Sequence, residues 1–136
     1  MKSLWQELNA ANLSIANAIG YAPDYIRVPG GTTGIFTKEF PMPLGNWDVD
    51  SLDYKNSNQK DGGNIIYNRL VNSGIRDGSI ILMHSIYFRT YDATAMLLEY
   101  LSNQGYVFVT LSELFYYKGI TPEDGEVYRN AVAAEQ

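Results

Sequence analysis

The sequence predicts an α/β fold whose strands are mainly parallel. Short runs rich in β-branched and aromatic residues (DYIRV at 24–28, SIILM at 79–83, YVFVT at 106–110) alternate with longer amphipathic stretches. The run SIILM shows no polar alternation, which is the pattern of a strand covered on both faces, as parallel strands are. Gly20, Gly74 and Gly105 stand where the amphipathic stretches should stop. Strands alternating with helices build βαβ units, and such a sheet gathers its functional residues at the carboxyl ends of its strands.

Each element has a local reason. Residues 3–19 carry Leu4, Leu8, Ala11, Ile15 and Ile19 on one face, with Ser3 as N-cap and Gln6 three residues on. DYIRV reads as a strand broken by Pro29-Gly30-Gly31. Residues 32–46 hold two prolines and two further glycines without a period, so a long irregular connection is expected. Residues 46–54 (NWDVDSLDY) read as a strand end passing into a loop. A polar loop leads to a helix over 64–73, with Ile65, Ile66, Leu70 and Val71 on its stripe. After SIILM, Thr90 or Asp92 can cap a helix running to about Asn103, with Leu97, Leu98 and Leu101 inward. YVFVT is the clearest strand pattern in the chain. Leu111 to Lys118 follows as a short helix. No repeat or boundary divides the sequence, so residues 1–136 read as one domain, with 119–136 as a loosely structured tail.

Composition narrows the function. The 136 residues are 46% hydrophobic and 18% charged, enough for a real core. The net charge is −5 and the ten basic residues form no run, which argues against a nucleic-acid or anionic-membrane surface. With no cysteine, disulfides and thiolate metal sites are excluded. The start MKSLWQELNAANL does not read as a signal peptide, and the longest apolar run, IILM, is far too short to span a bilayer.

Chemistry-bearing residues fall just past the expected strands. Arg27 and the turn VPGG follow the first; Asp48, Asp50, Asp53 and Tyr54 follow the second; His84, the single histidine, follows the third. A lone imidazole there can be a core residue, a metal ligand or a proton carrier. A carboxylate beside it would orient the ring and favour its charged form, so that it can give a proton to a leaving group. A glycine-rich turn can present a backbone N–H to a developing oxyanion. Arg27 can equally pair with Asp24 or Asp50 at the surface. DVDSLD lacks the glycine and distal glutamate of an EF-hand loop.

Taken in order, RVPGG, WDVDSLDY, ILMH, a helix and then QGYVFVTLSEL resemble the C-terminal half of the NodB-type polysaccharide deacetylases, carbohydrate esterase family 4. That family carries an Arg-x-Pro turn, a Trp-x-x-Asp-x-x-Asp-Trp segment and a Leu-x-His strand end in this sequence. The likeness runs from about residue 5 to 118, and the closing strand and helix resemble those of peptidoglycan-directed members. It implies the C-terminal half of a distorted (β/α) barrel and the hydrolysis of acetyl groups on cell-wall or chitin-like glycans. His84 resembles the general acid that protonates the departing amine, and Asp53 the carboxylate that tunes it. Arg27 resembles the arginine that holds the catalytic-base aspartate. Gly30 falls where a backbone N–H meets the oxyanion, and Leu82 resembles the leucine lining the pocket for the acetyl methyl. Trp47 and Tyr54, with Tyr87, are candidates for stacking on sugar faces.

The departures shape the expectation. The family's Thr-Phe-Asp-Asp-Gly motif is absent, and its His-x-x-x-His ligand pair cannot exist in a chain with one histidine. No metal site is therefore expected here, although the family uses zinc or another divalent ion. Tyr54 replaces the usual Trp, Gly30 the usual Tyr, and Ser85 the common Asp. A chain inactive alone is expected, either forming a homo-oligomer or pairing with the missing N-terminal half through open strand edges. The alternative is a non-catalytic carbohydrate-binding or interaction module. The family's glycan substrates imply an extracellular or cell-wall location.

Overall fold

The computed structural model describes residues 4–33 and 40–132. Among these residues five α-helices flank two short parallel strand pairs: α1 is Leu4–Ile19, α2 Asp53–Asn56, α3 Gly62–Val71, α4 Phe88–Asn103 and α5 Leu111–Tyr117, with a 3-10 turn at Pro29–Gly31. The strands are β1 (Leu44–Gly45), β2 (Val49–Asp50), β3 (Ile81–Leu82) and β4 (Val127–Tyr128). β1 pairs with β4 and β2 with β3, both parallel, with Val49 opposite Ile81 and Asp50 opposite Leu82. Parallel strands alternating with helices are the architecture that the sequence predicts.

The helices follow their local signals closely. α1 stops at Gly20, which takes φ 88° and returns its N–H to the Ala16 carbonyl. Its expected cap, Ser3, lies outside the described residues. The expected inward face is a different matter: among its described side chains Leu8 packs on a core cluster, while Ile15 and Ile19 are exposed. α5 opens with a capping box, in which the Glu113 N–H donates to the Thr110 hydroxyl and the Thr110 N–H donates back to the Glu113 carboxylate. α3 begins two residues earlier than expected, at Gly62 and Gly63. Both are buried because they are contact points: a side chain at 62 would meet the Asn56 carbonyl and Arg89, and one at 63 would meet Asp92. α4 also starts early, at Phe88, and Leu98 points outward while Leu97 and Leu101 are buried.

The strands depart further from expectation. DYIRV makes a single parallel bridge, Ile26 to Leu44, rather than a strand. SIILM keeps only Ile81–Leu82 as strand. YVFVT forms none: no strand pairs with it among the described residues, and Val107, Phe108 and Val109 are exposed. In the connection expected to be irregular, Leu44–Gly45 is a strand, and Gly45 is small because Leu111 lies directly over it. The segment from Gly119, expected to be loose, supplies β4 and buries Ala131.

Two clusters hold these elements. Val49 of β2 packs with Ile66, Leu70, Ala93, Leu97 and Leu101, so α3 and α4 close over one strand pair. Ile26, Phe40 and Leu44 form the second cluster.

Candidate active site

Asp53 is the organising residue. β2 ends at Asp50, whose carboxylate accepts the Leu52 N–H at 2.9 Å, and Leu52 turns into the left-handed region at φ 49°. That tight reversal directs the Asp53 side chain inward, where it is fully buried. β3, in register with β2, ends one residue before Met83 and delivers His84 beside it. The two residues meet twice. The His84 backbone N–H donates to Asp53 Oδ2 at 2.6 Å, and His84 Nδ1 lies 2.7 Å from Oδ1. Two further donors complete the set: the Tyr54 N–H reaches Oδ1 at 2.8 Å, and the Thr90 hydroxyl reaches Oδ2 at 2.8 Å.

These donors decide the charge on Asp53. Burial pushes its carboxyl up, but the His84 N–H, the His84 ring and the Thr90 hydroxyl favour the anion, as does the charge on His84. Together they more than offset burial and hold the group below the ordinary carboxylate range. An ionised Asp53 accepts from Nδ1, which leaves Nε2 as the outward nitrogen of a ring about one-third exposed. Nothing among the described residues hydrogen-bonds Nε2. Tyr54 and Tyr87 stand edge-on to the ring at 6.1 and 5.9 Å. A buried anion behind a half-open imidazole can hold and release a proton at Nε2.

The other sequence candidates are placed differently. Asp48 lies ahead of β2, at the opposite end from Asp53, and accepts the Ile80 N–H and the Ser79 hydroxyl. Asp50 serves the turn just described. The expected gathering of several carboxylates on one rim therefore reduces to Asp53. Arg27 pairs with neither Asp24 nor Asp50; its guanidinium stacks 5.0 Å over the Trp47 ring. Trp47 in turn packs against Gly31, where any side chain would strike the ring and where φ is 65°. Gly30 takes φ 68° in the 3-10 turn. No hydrogen bond, ion pair or ring contact joins this Arg27–Gly31–Trp47 group to the Asp53–His84 pair among the described residues. Leu82 is buried in β3. The sequence offers Thr90 as a possible helix cap, and a hydroxyl six residues beyond His84 at the start of α4 is the signal it carries for the site.

Nor do the side chains here fit a metal centre. No group of three or more His, Asp or Glu among the described residues is arranged to hold an ion, and His84 Nδ1 is engaged by Asp53.

Comparison with known proteins bears on this geometry. The chain is 34% identical over 115 residues to a peptidoglycan-N-acetylmuramic acid deacetylase, PdaC, of Bacillus subtilis, covering 84% of this chain. The chain is a homologue of the family 4 polysaccharide deacetylases. A second relative is the peptidoglycan-N-acetylglucosamine deacetylase PgdA of Listeria monocytogenes, at 30% identity over the same length. Among solved structures, a family 4 acetyl xylan esterase from Clostridium thermocellum, bound to cobalt, superposes with a TM-score of 0.80 at 26% identity. That match covers 92% of this chain and 62% of the esterase. The likeness confirms a part of the NodB-type α/β barrel. The chain spans about a quarter of the length of either deacetylase. No family model matches it.

Proposed function

We propose that the chain supplies the proton-donating half of a polysaccharide N-deacetylase. The observation that carries this reading is the Asp53–His84 pair, built across the ends of two parallel strands with Nε2 directed outward. In amide hydrolysis, water adds to the acetyl carbon, the C–N bond breaks, and the departing nitrogen takes a proton as acetate leaves. His84 Nε2 gives that proton, with Asp53 holding the ring and stabilising its charge. Gly30 offers a backbone N–H to the oxyanion, Leu82 borders the acetyl methyl, and Arg27 orients the base. The base and the metal ligands of the family come from a polypeptide segment carrying the Asp-Asp and His-x-x-x-His motifs. The substrate class is a β-linked, N-acetylated glycan of the cell wall, which places the work outside the cell.

The chain alone should release no acetate from chito-oligosaccharides or peptidoglycan, with or without added zinc. Joined to a segment bearing the missing motifs, it should become active, and His84→Ala should remove that activity. Acetate release by the isolated chain, or full activity of the joined His84→Ala protein, overturns the reading.

The 106–110 segment and the β2–β3 pair, which no further strand joins among the described residues, favour association with a second copy or with the complementary segment. Light scattering at micromolar concentration should show a dimer or larger species, and a stable monomer contradicts this. A second reading, a glycan-binding module, is favoured by Tyr54 and Tyr87 flanking the ring, with Tyr54 exposed. In that case glycan binding survives His84→Ala.

A further inference from the structure

Thr90 and Thr94 lie one turn apart on α4 and use their hydroxyls in opposite ways. Thr94 does what helical threonines commonly do, donating back to the carbonyl four residues earlier, at 2.7 Å from Thr90 O. Thr90 instead reaches out of the helix to Asp53 Oδ2 at 2.8 Å, and is itself buried. This contact ties α4 directly to the ends of β2 and β3.

A carboxylate has about four acceptor directions. At Asp53 all of them are used: the Tyr54 N–H and the His84 ring at Oδ1, the His84 N–H and the Thr90 hydroxyl at Oδ2. Two of these donors are backbone and cannot be withdrawn without moving the chain. His84 is the titratable group that faces the carboxylate. The Thr90 hydroxyl, donating at Oδ2 beside the His84 N–H, favours the ionised carboxylate, and so disfavours the arrangement in which a protonated Oδ1 donates to Nδ1.

We propose that Thr90 is a positioning residue for His84: its hydroxyl completes the donor set on Asp53 and so fixes Nδ1 as the protonated ring nitrogen and Nε2 as the one that exchanges its proton outward. This rests on the reading of His84 as proton donor and adds to it a residue from α4 that never meets substrate. The nearest rival is that Thr90 merely satisfies its own buried hydroxyl.

The chain has one histidine, so the imidazole ¹⁵N spectrum of the intact protein contains a single ring. The neutral wild-type ring should be the Nδ1–H tautomer, and Thr90→Ser, which keeps the hydroxyl, should match it. Thr90→Val and Thr90→Ala remove the donor with different bulk. Each should admit the Nε2–H tautomer and move the Asp53 ¹³Cγ titration upward. A wild-type ring in the Nε2–H form overturns the proposal, as does an unchanged tautomer and carboxyl titration in the folded Val or Ala variant. These measurements need no turnover. An inert His84 in the joined enzyme would therefore defeat the catalytic reading without touching this one.

Discussion

Asp53→Asn should destabilise the chain by about 3 kcal/mol, more than any other single-atom exchange at the site. The substitution keeps the shape and replaces one acceptor oxygen by an NH₂ donor. If the nitrogen takes the Oδ2 place, it faces the His84 backbone N–H and the Thr90 hydroxyl. The hydroxyl can turn to accept, but the N–H is left buried without a partner. If it takes the Oδ1 place, it faces the Tyr54 N–H and the His84 ring. The ring can then accept at Nδ1 by moving its proton to Nε2, and the Tyr54 N–H is orphaned. Either way one backbone donor loses its acceptor and the ring loses the carboxylate that holds it. Urea unfolding of the two proteins at neutral pH measures the difference. A loss below about 0.5 kcal/mol would mean that the site relaxes by other means.

The same pair fixes the sign of the acid response. A carboxyl held below its ordinary range releases its proton more readily in the folded state than in the unfolded one. Its contribution is complete above about pH 5 and drains away as the pH falls below about 4 and on through the folded value. Wild-type stability should therefore fall more steeply in acid than that of Asp53→Asn. Parallel curves for the two would contradict the assignment.

Leu70→Ala should cost about 3 kcal/mol as well, by a different route. Leu70 and Ile66 are completely enclosed between α3 and α4, against Ala93, Leu97 and Leu101. The close seating of these helices on Gly62 and Gly63 leaves little freedom for collapse around a cavity. Val49 shares the cluster, so the void would lie behind the strand that leads to Asp53. With total stabilities of about 5–15 kcal/mol, such a loss is a large fraction of the whole. Chemical denaturation decides it: a change under about 1 kcal/mol would show that this cluster is not the main core.

Much of the site is legible in the residues. His84 and Asp53 can be paired from their places after successive strands, and the structure brings them to 2.7 Å. Asp48 and Asp50 share the same segment, yet spacing alone does not say which carboxylate turns inward. The left-handed Leu52 does that, and nothing in a leucine announces it. Arg27 offers a similar lesson: proximity to acids in sequence favours an ion pair, whereas the folded chain stacks it on Trp47. Thr90 was hidden because its partner is 37 residues away.

The division between sequence and tertiary structure follows where the hydrogen bonds go. Local residues set the helices and their stops: Gly20, the Thr110–Glu113 box and the stripe of Ile66 and Leu70 act within a few residues, and helical bonds close over the same short range. The sequence also carries the parallel α/β order. The strands depend on distant partners instead. YVFVT has the strongest strand pattern and forms no ladder, while the unpromising Leu44–Gly45 pairs with Val127–Tyr128, more than eighty positions distant. A strand exists only where another backbone lies alongside to complete its hydrogen bonds, and no local pattern contains that second backbone.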